Sequence, residues 1–448
     1  MNNPQIPFSK NQLIVIGAVA AVAVFFILVF TGVIPGLQED PRKKYPPVEL
    51  AFWGVFDDPS VYNDVFNLYR KRFPNVTINY YLKNAETYEK DLVNALAAGK
   101  GPDVFMIHGS WLPKHYEKLA SVTEQQLPIA DFRNFFPQVV EQDFAPDGKI
   151  YALPLSIDTM ALFYNKDFFD RKGVALPPAT WKEFENLVPR LRELNPDTKK
   201  IEKAAAAIGG TDRSVNRASD LIALLMLQGG AKMTDDAFTR AVFSETISVP
   251  GGGNAPAGLN ALNFYAQFAN PTSPYYTWND NLHYSIDNFA EGTTAMMFNY
   301  YYQAGALKTK NPFLNFAVAP MPQPAGALQP VNYANYWGYA VSVKSQNAWW
   351  VWDLLAFMTT NEEATAAYLK TTGKPPALRT IINAKLNDPD FGVFARQALT
   401  ARSWPQVDNL AVEKSFSDMI RLVVTGEAPP EAALRRAEEE ITALMKRI

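Results

Sequence analysis

The chain has no cysteine. That excludes disulfides, thiolate nucleophiles and thiolate metal sites, and it equally excludes a lipid-modified cysteine at the amino terminus. Histidine is almost as scarce. His108, His115 and His283 are the three present, and the first two stand seven apart in a stretch that does not read as one helix. A metal pair is not indicated, and neither a metal nor any other cofactor is expected. Long basic tracts are missing as well. The 42 Lys and Arg are matched by 45 Asp and Glu, for a net charge of −3, and Arg42-Lys43-Lys44 is only a short cluster. That balance argues against a nucleic-acid partner. The G-x-S-x-G elbow, the H-E-x-x-H zinc motif and the phosphate loop are absent from the 448 residues, so nothing marks a common hydrolase or nucleotide site. A carboxylate pair for glycoside hydrolysis needs no local motif, because its members can be far apart in the chain. The sequence singles out no such pair.

What is present begins with an apolar run. Leu13 to Ile34 is 22 residues without a charge. About 20 apolar residues of helix span a bilayer, whereas the apolar core of a cleaved secretory signal is usually about 7–15. A transmembrane anchor is therefore expected at 13–34, after a cytoplasmic tail at 1–12 and before a linker at 35–47 that contains Pro41, Pro46 and Pro47. The positive-inside rule, read from Arg42 to Lys44 against Lys10, leans toward a cytoplasmic body.

Beyond the linker the pattern is strand, helix, strand. Val48 to Trp53 reads as a first strand, and Asp58-Pro59 opens a helix with Val65, Phe66, Tyr69 and Phe73 on its apolar side. Val76, Ile78 and Tyr80 alternate as a second strand. Tyr88, Leu92 and Leu96 mark a helix stopped at Gly99, and Asp103 to Ile107 is a buried-strand run. This is β-α-β-α-β, and an open parallel sheet places ligands beyond the carboxyl ends of its strands. Those ends are Trp53-Gly54 and His108 to Trp111. The stretch Tyr151 to Lys166 has two apolar runs around Ser156-Ile157-Asp158-Thr159 and reads as the passage from one lobe to another. Further on, Thr180 to Glu183 is a capping box, Ser219 is expected to cap a helix to Gln228, and Thr294 to Asn299, Phe316 to Ala319 and Trp337 to Val343 read as strands. Trp349 to Thr359 reads as a helix whose tryptophans pack inward.

Several of these segments together resemble the bacterial extracellular solute-binding proteins of the sugar type, the group that contains maltose-binding protein. They are GPDVFMIHGSWLPKHYEKLA, YALPLSIDTMALFYNKDFFDRKGVALPPATWKEF, FAEGTTAMMFNYYY, YWGYAVSVKS and the SWPQ at Ser403 to Gln406. The resemblance implies a two-lobed α/β fold of the periplasmic-binding-protein kind, with a hinge and an interlobe cleft, here preceded by one transmembrane helix. Lobe one would be 48–155 with 338–376, and lobe two 159–332 with 380–448. The chain would cross between them near Ser156 to Thr159, Asn332 to Trp337 and Gly373 to Thr380. The resemblance also implies a body on the extracytoplasmic side of the cell membrane, against the charge rule. It implies a carbohydrate ligand and delivery to the subunits of an ABC-type permease.

A sugar offers C–H faces to aromatic rings and hydroxyls to paired donors and acceptors. On that ground the candidate ligand residues are Trp53 and Trp111 at strand ends, Asp158 at the first crossing, and Asn299 and Tyr300 at the end of a lobe-two strand. Tyr336 and Trp337 at the second crossing and Trp404 complete the set. Asp57 and Asp58 read as helix caps. Two other classes stay open: a surface-anchored carbohydrate-active enzyme using the same cleft, and a ligand-sensing subunit of a signalling system.

Overall fold

A computed structural model describes residues 10, 17, 19–25, 45–248 and 253–446. The expected anchor at 13–34 lies outside the described residues except at 17 and 19–25, which are helical and exposed. Among the described residues no helix is long and apolar enough to cross a membrane.

Two sheets organise the body. The first contains β1 (Val48–Val55), β2 (Val76–Lys83), β3 (Val104–His108), β4 (Leu119–Ala120), β5 (Ala152–Leu153) and the distant strand Trp337–Ser342. β1 lies parallel to both β2 and β3, and Trp337–Ser342 runs antiparallel between β3 and β4. Its core is built around Leu50, Phe52, Phe105, Ile107 and Tyr339, with the helices Asn63–Arg72, Ala348–Thr360 and Glu362–Thr372 packed over it. The second sheet runs in the order Phe316–Ala319, Ala161–Asn165, Thr294–Asn299, Ile201–Ala207, Glu193–Leu194. Its core gathers Phe163, Phe184, Trp278, Phe298 and Leu225. Alternating strands and crossover helices put each apolar face against a helix layer, which is the ordinary solution for an α/β lobe.

Between the sheets lies a small third one. Asp158–Thr159 pairs antiparallel with Asn332–Asn335, which pairs parallel with Ala401–Arg402. Ser156 bridges Pro376 beside it. Chain segments more than 240 residues apart therefore meet where the backbone passes from one sheet to the other.

Local chemistry accounts for the element ends. Thr180 and Glu183 form the expected capping box. The helix Ala218–Gln228 starts one residue before Ser219, and Arg217 stands at its cap with φ +62° and no side-chain capping bond. Ser219 is thus inside the helix, because the start is set by how Arg217 is held and not by a hydroxyl.

Candidate functional site

The site begins at the end of β1. Gly54 is required there, since a Cβ would come within 2.1 Å of the Tyr80 hydroxyl. That hydroxyl donates to the Asp57 carbonyl at 2.8 Å and ties down the turn that follows. Phe56, between them, has φ +73° and is 59% exposed. A bulky residue in the left-handed region is held there against its preference, and its ring meets Trp337 edge-on at 5.5 Å.

Asp57 is not a cap. Its carboxylate is buried, accepts from the Tyr368 hydroxyl at 2.7 Å and pairs with Lys374 Nζ at 2.5 Å. Those partners come from the helix Glu362–Thr372 and the turn after it, beyond reach of any local pattern. Asp58 does cap, accepting from the Ser60 amide at 2.9 Å.

The first sheet supplies a cluster of rings. Trp337 lies 4.9 Å from Trp111 and 5.4 Å from His108, in each case edge-on. His108 Nε2 donates to Asn335 Oδ1 at 3.2 Å, and Nδ1 faces Ser110 Oγ at 2.8 Å. Burial pulls the His108 pKa down to about 4, and the Arg217 charge adds to that, so the ring is neutral at pH 7. Trp111 and Ser110 both donate to Asn409 Oδ1, at 2.8 and 3.0 Å. Asn409 opens the helix Asn409–Val424, which packs on the second core.

The second sheet supplies the facing groups. The Tyr300 hydroxyl donates to Asp220 Oδ2 at 2.6 Å, and Arg217 holds the same oxygen through Nε at 2.8 Å and Nη2 at 2.5 Å. Arg217 also reaches Glu413 at 3.3 Å and lies over the Tyr300 ring at 5.6 Å. Tyr302, 54% exposed, stacks on Tyr300 with 6.0 Å between centroids. Asn299 is buried and donates to Asn216 Oδ1 at 3.0 Å.

Asp158 joins the two halves. It accepts from the Tyr301 and Tyr302 amides at 3.0 and 3.3 Å, at the start of the helix Tyr302–Lys310. Burial pushes its carboxyl up to about 7, opposed by those donors and by the Lys374 charge. His108, Asn335 and Asn409 share with Arg217, Asp220 and Tyr333 an enclosed space of about 10 Å³, roughly one water molecule. Residues of the two lobes touch here through Asn409, which accepts from Ser110 and Trp111.

Of the expected residues, Tyr336 and Trp404 line this space. Trp111 and Tyr300 bond residues that line it, Asn409 and Asp220. Trp337 packs on Trp111 and His108, and Asp158 holds the Tyr301 and Tyr302 amides beside it. Asn299 and Tyr300 have their polar atoms engaged within the second lobe. Tyr336 is buried, its hydroxyl 2.6 Å from Asp143. Trp404 lines the same enclosed space but is only 2% exposed and stacks on Phe416. Trp53 stands on β1 with Lys83 Nζ 3.7 Å from its ring. Phe56, His108, Arg217, Tyr302, Lys374 and Asn409 were missed by sequence reasoning. Position alone could have found Phe56, which directly follows a strand end.

Two α/β lobes joined by crossing segments, with rings and ionic groups facing each other where strands end, define a two-lobed binding protein of the periplasmic type. Residues 65–391 match the bacterial extracellular solute-binding protein family, and the chain belongs to it. The maltotriose-binding protein of Pyrococcus abyssi is 24% identical over 85% of this chain and 78% of its own. The galactooligosaccharide-binding protein of Bacillus subtilis is 21% identical over 87% of this chain and 88% of its own. Among solved structures, the sugar-binding protein MalE from Xanthomonas citri superposes with a TM-score of 0.74 at 19% identity, over 89% of this chain and 98% of that one. The cyclic alpha-maltosyl-1,6-maltose binding protein from Arthrobacter globiformis gives 0.72 at 18% identity, over 90% and 100%.

Proposed function

We propose that this chain is the carbohydrate receptor of an ABC-type importer, tethered to the cell membrane through residues 13–34 with its body on the extracytoplasmic side. The observation that carries the reading is the pairing of the exposed rings of Phe56 and Tyr302 and the half-buried ring of Trp337 with ionic and amide groups (Asp158, Arg217, Asn335 and Asn409) where the two lobes meet. An oligosaccharide presents apolar faces and hydroxyls in that same alternation. The two relatives named above bind maltotriose and galactooligosaccharide, which supports the same ligand class.

The mechanism is a population shift. The space of about 10 Å³ at the junction is too small for a sugar ring, so a ring reaches these groups as the lobes part about the segments near 156–159, 332–337 and 373–380. It then touches both lobes only in the closed form, so its differential affinity drives closure. The closed shape is what a permease would recognise, and release follows when docking reopens the lobes.

The test is calorimetric titration of the full chain in nanodiscs with maltotriose, a galactooligosaccharide, a polyol and a peptide, paired with small-angle scattering. Saturable binding of one sugar, with scattering that shows a more open chain without ligand, supports the receptor. Turnover of the bound sugar, or a response to peptide alone, overturns it.

A further inference from the structure

The helix Ala348–Thr360 begins Ala-Trp-Trp-Val-Trp. Trp352 is buried as an inward-packing ring should be, but Trp349 is 52% exposed. It does not stand alone. Trp350 lies 4.9 Å from Trp349, 5.3 Å from Tyr45 and 5.3 Å from Phe73, in each case edge-on. The Arg72 guanidinium sits 5.1 Å from the Phe73 ring. Arg72 closes a helix whose last turn is Arg70-Lys71-Arg72, all three exposed. Acidic groups border this face, with Asp353 accepting from Tyr69 and Asp64 and Glu363 lining the hollow beside Arg70 and Lys71. The result is one continuous patch of rings flanked by cations, on the far side of the first lobe's helix layer. Phe73 and Trp350 back onto the first core as half-buried rings, Trp349 and Tyr45 stand exposed in front of them, and the ligand junction uses none of the four.

The length of chain before the patch says what covers it. Tyr45 stands at one edge of the patch, and residues 35–44 separate it from the uncharged run 13–34. Ten extended residues reach at most about 36 Å, and three of these ten are Arg42, Lys43 and Lys44. An anchored chain therefore holds Tyr45 and its neighbours beside the bilayer at high effective concentration. Tryptophan and tyrosine favour the membrane–water boundary, and lysine and arginine are drawn to anionic headgroups. We infer that the face formed by Tyr45, Phe73, Trp349, Trp350 and Arg72 lies against an anionic phospholipid bilayer. The inference rests on the anchor reading above. Its consequence is that the first lobe is laid down on the membrane, and hinge motion is carried by the second.

The chain is free of cysteine, so a single introduced thiol reports cleanly. Gln346→Cys places an environment-sensitive dye beside the patch, and Phe313→Cys, at a fully exposed position of the second lobe, serves as the aqueous control. Both are read on the full chain in nanodiscs of phosphatidylcholine with phosphatidylglycerol. The expected result is emission at 346 shifted to the blue of emission at 313. The shift should shrink in phosphatidylcholine alone or at high salt, and be lost in Trp349→Ser combined with Arg72→Gln. Equal emission at both sites in anionic discs overturns the inference, as does a shift that survives the double substitution. Flotation with liposomes separates the two readings. A chain that floats while position 346 stays aqueous overturns only the docked face, whereas a chain that does not float overturns the anchor and the docked face with it.

Discussion

The indole N–H of Trp111 donates to Oδ1 of Asn409 across 298 residues of sequence, and the bond is 2.8 Å long. It ties the first sheet's ring cluster to a helix of the second core. Asn409 also accepts from Ser110 Oγ at 3.0 Å. Removing both acceptances in Asn409→Ala should weaken closure by about 1–3 kcal/mol, at roughly 0.5–1.5 kcal/mol per bond. Small-angle scattering of the unliganded chain should then show a larger radius of gyration, and ligand should bind more weakly because closure is less favourable.

Trp337 and Tyr302 present rings on opposite sides of the junction. Replacing either by Ala should weaken sugar binding by about 1–2 kcal/mol, or about 5–30-fold in Kd. Calorimetry gives the affinity and thermal melting gives the stability. For Tyr302, already 54% exposed, the melting temperature should hardly move.

Phe56 separates stability from binding. Its left-handed backbone costs about 1–2 kcal/mol for an L-residue, and glycine adopts the same φ freely. Phe56→Gly should therefore be neutral to slightly stabilising in denaturant titration while sugar affinity falls. A clear loss of stability would show that the Phe56–Trp337 contact outweighs the strain.

Trp404 should behave in the opposite way. At 2% exposure, stacked on Phe416, it acts through packing. Trp404→Ala should cost about 3–5 kcal/mol of stability. Trp404→Phe should cost much less, because a phenyl ring keeps most of the packing on Phe416. Equilibrium unfolding of the pair distinguishes packing from ligand contact.

Asp143 gives a pH dependence. Burial pushes its carboxyl up to about 7 from an unfolded value near 3.8, with Ser403 and Tyr336 donating against that shift. Between those values the folded chain keeps a proton that the unfolded chain has lost. The contribution is thus fully present below about 3.8 and is lost as pH rises to about 7. Asp158 slopes the same way, while His108, depressed to about 4, contributes stability above 6.5 that is lost as pH falls. The clean readout is the difference between wild type and Asp143→Asn. The variant should gain relative stability from pH 4 to pH 7 and stay level above it.

The strands at 48, 76, 104, 294, 316 and 337 were legible because apolar runs and alternation are local signals. The strand Asn332–Asn335 was not, since Asn-Tyr-Ala-Asn carries residues that strands avoid and pairs only because two crossing segments flank it. Asp57 looked like a cap from its neighbour Pro59 and proved to be the partner of Lys374, 317 residues away. Arg217 gave no signal, because its role comes from Asp220, Tyr300 and Glu413 converging on it. Trp349 was expected to pack inward with Trp352, yet only one of the two does. Sequence periodicity shows which side of a helix is apolar, and it does not show which turn of that side runs past the edge of the core.

The strand Trp337–Ser342 lies between β3 and β4 and also pairs with β5. During synthesis the first 155 residues therefore leave β3 with an open edge until some 180 more have emerged. The first sheet is therefore not the first to be completed. The second sheet, whose strands all fall between residues 161 and 319, has every partner in hand earlier. Both cores close only with late segments, the first with Trp337–Ser342 and the second with the helices Asn409–Val424 and Pro430–Met445, so the connectivity delays full assembly until most of the chain is made.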